Sequence, residues 1–251
     1  STDAYASWNW KSNGGVTSTL TDGSINTTVQ VNATAGFSIM TFVSDNQNGT
    51  TLAHGLGVAP AWFIIKDRDE DNAFYHYHKG LGSGKFTSWG AGSLGTGAPE
   101  TSTTVWGNTD PTSTLITVGI GNMSFDNGHN IVAYAFAEIE GYSKFGSYTG
   151  NGSADGTFVY TGFRPAYVMV KRTDSTGSWF MMDDKRLGYN ANNYRLMADG
   201  TNVEYSGASS NIIDIISNGF KCRVTSANAN ASGGTYIYMA FGDSTKYANA
   251  R

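Results

Sequence analysis

The chain reads as an all-β protein built from two tandem β-sandwich modules of the jelly-roll or lectin-like kind. Short apolar runs are separated by turn signals every 8–12 residues or so, the signature of a sandwich. Only 14% of the 251 residues are charged, against about 25% in an average soluble chain, and 32 are glycine, so turns and strand edges are favoured over helices. One stretch also occurs twice: Gly57 to Lys66 (GVAPAWFIIK) returns as Gly162 to Lys171 (GFRPAYVMVK), an offset of 105. The same offset carries Phe74-Tyr75 onto Trp179-Phe180 and Asn130–Phe136 onto Thr235–Phe241. A spacing of that size is too long for a solenoid repeat and suits a small domain.

Taken in order, residues 1–35 lie outside both repeats. Tyr5 to Lys11 resembles the closing strands Tyr134-Ala-Phe-Ala and Tyr238-Met-Ala-Phe, which predicts an N-terminal strand at the end of an upstream module. Ser12 to Thr34 is a Gly/Ser/Thr/Asn-rich connector with at most one short strand. The first module, 36–141, opens with the strand Phe37–Val43 and the turn Asp45-Asn-Gln-Asn-Gly49. Pro60 sits at a strand start, where its missing N–H costs least. Ala61 to Lys66 has no polar side, which predicts burial on both faces. Phe74 to His78, Thr114 to Val118 and His129 to Ile139 follow. The second module, 142–251, repeats the plan through Thr157–Tyr160, Ala166–Lys171, Trp179–Met182, Phe220–Val224 and Tyr236–Phe241. Ile212–Ile216 is the one run that could make a helical turn.

Composition excludes several classes. With 39% hydrophobic and 13% aromatic residues each module can bury a core. The net charge of −4 is spread thinly, which leaves no basic stripe for nucleic acid and no basic amphipathic segment for a membrane surface. The longest apolar runs fall far short of the roughly 20 residues of a bilayer span, so membrane insertion is not expected. Cys222 is the single cysteine and reads as core filler on a strand. A polar, weakly charged, disulfide-free chain suits exposure outside a cell after folding in a reducing cytoplasm. Virion proteins and some bacterial surface proteins meet both conditions.

Gly36-Phe-Ser-Ile, His54-Gly-Leu-Gly, Gly141 to Gly156, Tyr160-Thr-Gly-Phe-Arg-Pro-Ala, Ser217 to Lys221 and the ending Lys246 to Arg251 are more particular. They resemble the repeated C-terminal region of tail-fibre-like and other virion proteins of marine bacteriophages. The resemblance runs from about Trp8 to Arg251 and is looser around Asp67 to Asn72. It implies a virion or extracellular location, a part in host attachment, and further virion subunits as partners, a homotrimer above all. It also implies a lectin-like sandwich upstream. It carries over no catalytic residue.

The candidate sites follow from residue chemistry. Asp67, Asp69 and Asp71 alternate as the opening ligands of a calcium loop do, although Asn72 and His78 stand where that loop needs Gly and Glu. Calcium is the cofactor this stretch suggests. His76 and His78 lie two apart on a strand, face the same way and could give two metal positions. Asp183 and Asp184 are adjacent, so they make a poor glycosidase pair. No nucleophile elbow, P-loop or zinc motif is present, and the expectation is a protein without catalytic activity. The aromatic surplus is the stronger signal. Trp89, Trp106 and Tyr189 fall on loops, and Asn190, Asn192, Asn193 and Tyr194 surround the last of them. Aromatic faces with nearby amides suit a host-surface glycan or a protein partner. Two alternatives stay open: a purely architectural module of a capsid or filament, and a polysaccharide depolymerase.

Overall fold

Every second residue of a strand faces the same way, and in the run Trp62–Asp67 both faces are apolar. Phe63 and Ile65 enter one core while Trp62 and Ile64 enter another. The same division recurs on six other strands, and it decides the architecture. The computed structural model describes residues 5–90, 95–119, 125–186, 190, 194–206 and 212–243. Among them the regular elements are strands apart from one 3₁₀ turn, Ala33–Ala35. Gly36 closes that turn at φ 64°, where a Cβ would stand 2.8 Å from the Ala137 carbonyl oxygen, so only glycine fits.

In chain order the first half contains β1 (Ser18–Leu20), β2 (Thr27–Asn32), β3 (Phe37–Val43), β4 (Thr50–Ala53), β5 (Trp62–Asp67) and β6 (Phe74–His78). It continues with β7 (Lys85–Trp89), β8 (Glu100–Thr101), β9 (Leu115–Val118) and β10 (Asn130–Phe136). The second half contains β11 (Ser143–Thr149), β12 (Phe158–Tyr160), β13 (Tyr167–Arg172) and β14 (Trp179–Asp183). β15 (Arg195–Met197), β16 (Ile213–Ile216), β17 (Gly219–Cys222) and β18 (Thr235–Phe241) complete it. All pairings between these strands are antiparallel. An eight-stranded sheet runs β1-β2-β3-β10-β5-β6-β7-β8, and β4 pairs β9 outside it. A five-stranded sheet runs β11-β18-β13-β14-β15, with the three-stranded sheet β12-β17-β16 outside it.

Each large sheet packs one face on its own small sheet. In the first half Phe63, Ile65, Ile131 and Ala133 meet Leu52 and Ile116. In the second, Val168, Val170, Tyr236 and Tyr238 meet Ile213 and Phe220. The other faces of the two large sheets meet each other through Trp62, Phe136, Phe145, Met169, Trp179 and Phe241. The molecule is thus a stack of four layers with three cores, and the two halves share the middle one.

The inner sheets follow one plan. β3-β10-β5-β6 corresponds to β11-β18-β13-β14 in order. Ala133 pairs with Ile65 and Tyr238 with Val170, both residues of the pair being displaced by 105. Ile64–His76 and Met169–Met181 show the same displacement. The outer sheets depart from it: Leu52 faces Ile116 where Val159 faces Phe220, displacements of 107 and 104.

Three expectations change. Residues 5–12 are not a strand but an irregular segment across the two large sheets. The connector yields two strands, β1 and β2, because Val29 can bury against the first core while Thr28 faces solvent. Ile213–Ile216 is strand rather than helix, since alternate Ile213 and Ile215 fill the second core.

Candidate functional site

The sheet faces that meet in the middle core do not close completely. Trp62, Trp89, Tyr134 and Phe136 from the first half, with Tyr167, Met169 and Met181 from the second, line an apolar cleft of about 570 Å³. Trp8 and Trp10 form one wall of it. Beyond these two rings lies a polar hollow of about 430 Å³, bordered by Asp183, Asp184, Lys185 and Arg186.

The irregular segment 5–12 is held by side chains. Trp8 donates from Nε1 to Asp183 Oδ2 at 3.2 Å, and its ring lies 5.6 Å below the Arg186 guanidinium. Trp10 meets Tyr167 and Phe241 edge-on at 5.9 and 5.2 Å. On the other side Asn32 Nδ2 donates to the Lys11 carbonyl at 3.0 Å, and Ser12 Oγ donates to Gln30 Oε1 at 2.8 Å. One short segment therefore clasps both large sheets.

Behind the cleft lie the paired histidines, which do face the same way. Trp62 Nε1 donates to His76 Nδ1 at 3.2 Å, so the proton of neutral His76 is on Nε2. Among the described residues, that Nε2 and the Trp179 Nε1 are buried without a hydrogen-bond partner. The His76 ring sits 3.9 Å from Trp89 and 5.1 Å from Trp179. His78 accepts from the Gly80 N–H at Nδ1 and donates from Nε2 to the Tyr238 carbonyl at 3.0 Å, tying the two large sheets together. Burial holds His76 well below the usual histidine range and pushes His78 down to about 4. Both are neutral side chains of a buried interface, and His78 has both ring nitrogens occupied.

The repeated lysines act as clamps. Lys66 Nζ donates to the Glu70 carbonyl at 2.6 Å and to Asn72 Oδ1 at 3.1 Å. Lys171, fully buried, donates to the carbonyls of Gly177 and Gly97 at 2.7 Å and of Thr96 at 3.3 Å. It thus holds an arm of the first half against the second. Burial pushes it down to about 8, with Asp199 opposing, so it keeps its proton at neutral pH.

The residues singled out from sequence separate. Trp89 lines the cleft, at the end of β7 rather than on a loop. Trp106 does not reach solvent: it is fully buried in the first core, edge-on to Phe63 at 4.9 Å, and its Nε1 donates to the Lys85 carbonyl. Its flanking glycine and turn residues made it look like a loop tip, but a large apolar ring gains more by filling the sandwich. Asn190 pairs with the main chain of Ile215 in both directions at 2.7 Å, bracing the edge strand β16. Tyr194 is half-buried beside β15. Tyr189, Asn192 and Asn193 lie outside the described residues.

The acidic stretch is spent internally. Asp67 is buried, accepts from the Asp69 N–H at 2.9 Å and takes His129 Nδ1 on its other oxygen at 2.9 Å. Donating that hydrogen bond to Asp67 raises His129 above the usual range. Asp69 accepts twice from Asn130, which lowers its carboxyl, and Asp71 points to solvent. Among the described residues no group of three or more His, Cys, Asp or Glu side chains converges as a metal site would require. Asp183 is held by Arg186 and Asp184 by Arg164, at 2.7 and 2.6 Å. Among the described residues no helix is long and apolar enough to cross a membrane.

Sequence reasoning missed Trp8, Trp10, Tyr134, Met169 and Met181 as cleft residues. The doubly apolar strands announced two buried faces, yet nothing local says that one face meets the other module incompletely.

Fold and site define a class: a double β-sandwich of four antiparallel layers with an aromatic cleft at the junction of its halves. The chain belongs to the family described as a domain of unknown function, DUF7483, which it matches over residues 1–245. No curated protein and no solved structure matches it.

Proposed function

We propose that this chain is a non-catalytic structural module of a virion surface, of the tail-fibre-like kind, and that it serves attachment to a host-surface glycan. The open cleft carries this reading, because it presents the half-buried Trp8, Trp10 and Trp89 rings at a junction stiffened on both sides by sheets. Ring faces of this sort take the C–H face of a sugar or the apolar side chains of a protein. The ionisable groups support a binding role: Asp183, Asp184 and Asp67 are tied to basic partners, and the buried histidines are neutral. Homo-oligomeric assembly, a trimer on the fibre analogy, would multiply weak single-site contacts.

A second reading is supported by a specific observation. Many of the aromatic rings join the halves, and Trp106 is core, which suits a purely architectural role in a capsid or filament. Retention of the labelled chain on candidate host cells, with a related non-host strain as control, separates the two. Saturable, strain-specific retention that weakens in Trp89→Ala supports attachment through the cleft. Absence of retention from a folded, correctly assembled sample favours architecture.

A further inference from the structure

The outermost sheet of the second half carries a feature that the cleft does not explain. β12 is an edge strand, and its side chains alternate sharply: Phe158 is 46% exposed, Val159 is 6% and Tyr160 is 63%. Phe158 and Tyr160 therefore stand on one outward face, roughly 7 Å apart along the strand. Each has an edge beside a glycine. Phe158 Cε2 comes within 3.0 Å of where a Cβ on Gly219 would sit, and the Tyr160 hydroxyl and ring edge lie 3.7–3.9 Å from that position on Gly162. Glycine at these positions leaves room for the rings, and their exposure leaves them open to a ligand.

The main chain beside them is also available. Thr161 N–H donates to the Asn218 carbonyl and Cys222 N–H to the Thr157 carbonyl. Antiparallel alternation then turns the main-chain groups of Phe158 and Tyr160 away from β17, to the open side of the strand. Around the rings stand paired charges. Lys221, opposite Phe158 in the ladder, contacts Asp155, and Arg223 contacts Asp214. Two cations and two anions leave no net charge, and exposed Ser217 and Asn218 adjoin them.

We propose that Phe158 and Tyr160 form a second ligand platform, which takes a neutral saccharide. The open ring faces suit sugar C–H groups, and Asn218, Asp155 and the edge main chain suit its hydroxyls. An acidic polymer would call for net positive charge, which the ion pairs cancel. A second copy of the chain is a poorer occupant. Pairing through a three-residue strand buries far less than the ~1,200 Å² of a stable interface. The inference rests on the attachment reading for the source of the saccharide, but it concerns a surface separate from the cleft.

The test uses the full chain, the double variant Phe158→Ala/Tyr160→Ala and the ring-conserving Tyr160→Phe. Thermal melts first establish that all three fold. Binding is then read against cellohexaose, laminarihexaose and maltohexaose, with oligogalacturonate as the acidic control, and on cells that retain the wild type, before and after periodate oxidation. The expected result is loss of at least ~10-fold in affinity for a neutral oligosaccharide or for cells in the double variant. Tyr160→Phe should bind normally, and cell retention should be periodate-sensitive. Equal cell retention of wild type and double variant overturns the platform and leaves attachment through the cleft standing. Loss of retention that is insensitive to periodate overturns the saccharide. Wild type that no cell retains refutes attachment. In that case the oligosaccharides alone decide, and binding to none of the neutral ones overturns the platform as well.

Discussion

His78 links the two halves, and replacing it should change how stability depends on pH. In the folded protein its ring is buried, accepts from Gly80 and donates to the Tyr238 carbonyl, so protonation is resisted down to about 4. The unfolded chain protonates the same ring near 6.5 or so. Between those values the unfolded state binds the extra proton. The contribution is therefore fully present at high pH and is lost as pH falls from about 6.5 toward about 4. The full difference is worth roughly 3 kcal/mol, of which about 2 kcal/mol disappears between pH 7 and pH 5. His78→Gln keeps a donor for Tyr238 and removes the titration. His76 acts in the same sense and His129, raised by Asp67, in the opposite one. These persist in the variant, as does His54, also lowered by burial, so subtraction leaves His78 together with its small repulsion on His76. Urea unfolding at several pH values should show wild type losing about 2 kcal/mol more than the variant over that interval. Parallel profiles would refute the claim that this ring is neutral and sealed in the interface.

Three other outcomes are expected. Trp106→Ala should lower stability by about 3–5 kcal/mol, measured by chemical unfolding; a near-neutral result would return Trp106 to the surface. Lys171→Met should leave the Thr96, Gly97 and Gly177 carbonyls without their shared donor. A cost of roughly 2–4 kcal/mol is expected from groups worth about 1–3 kcal/mol each, with easier proteolysis near Gly95; unchanged cleavage would show that the arm is held by something else. Adding calcium or EDTA should leave the melting temperature in place, because Asp67 and Asp69 already serve His129 and Asn130. A calcium-dependent rise would restore the acidic loop as an ion site.

The sequence by itself determined the class of fold. Turn residues, few charges and short apolar runs leave little besides antiparallel sheet. The stretch Gly57 to Lys66 and its counterpart located the two central strands, and their lack of a polar side foretold burial on both faces. Local pattern could say that Trp62 and Phe63 are both buried. It could not say that Phe63 belongs to its own sandwich while Trp62 meets the other half. Only tertiary structure decided that, because the choice depends on which sheet lies across the face and on how two twisted sheets splay. Trp106 and Trp89 show the same limit. Both are tryptophans among glycines and polar residues, yet one fills a closed core and the other borders an open cleft. Asp67 and its neighbours alternate as metal ligands would, but His129 and Asn130, about sixty residues away in sequence, take their oxygens first. Strand pairing brings those groups together, and pairing between distant segments is set by packing that no local spacing records.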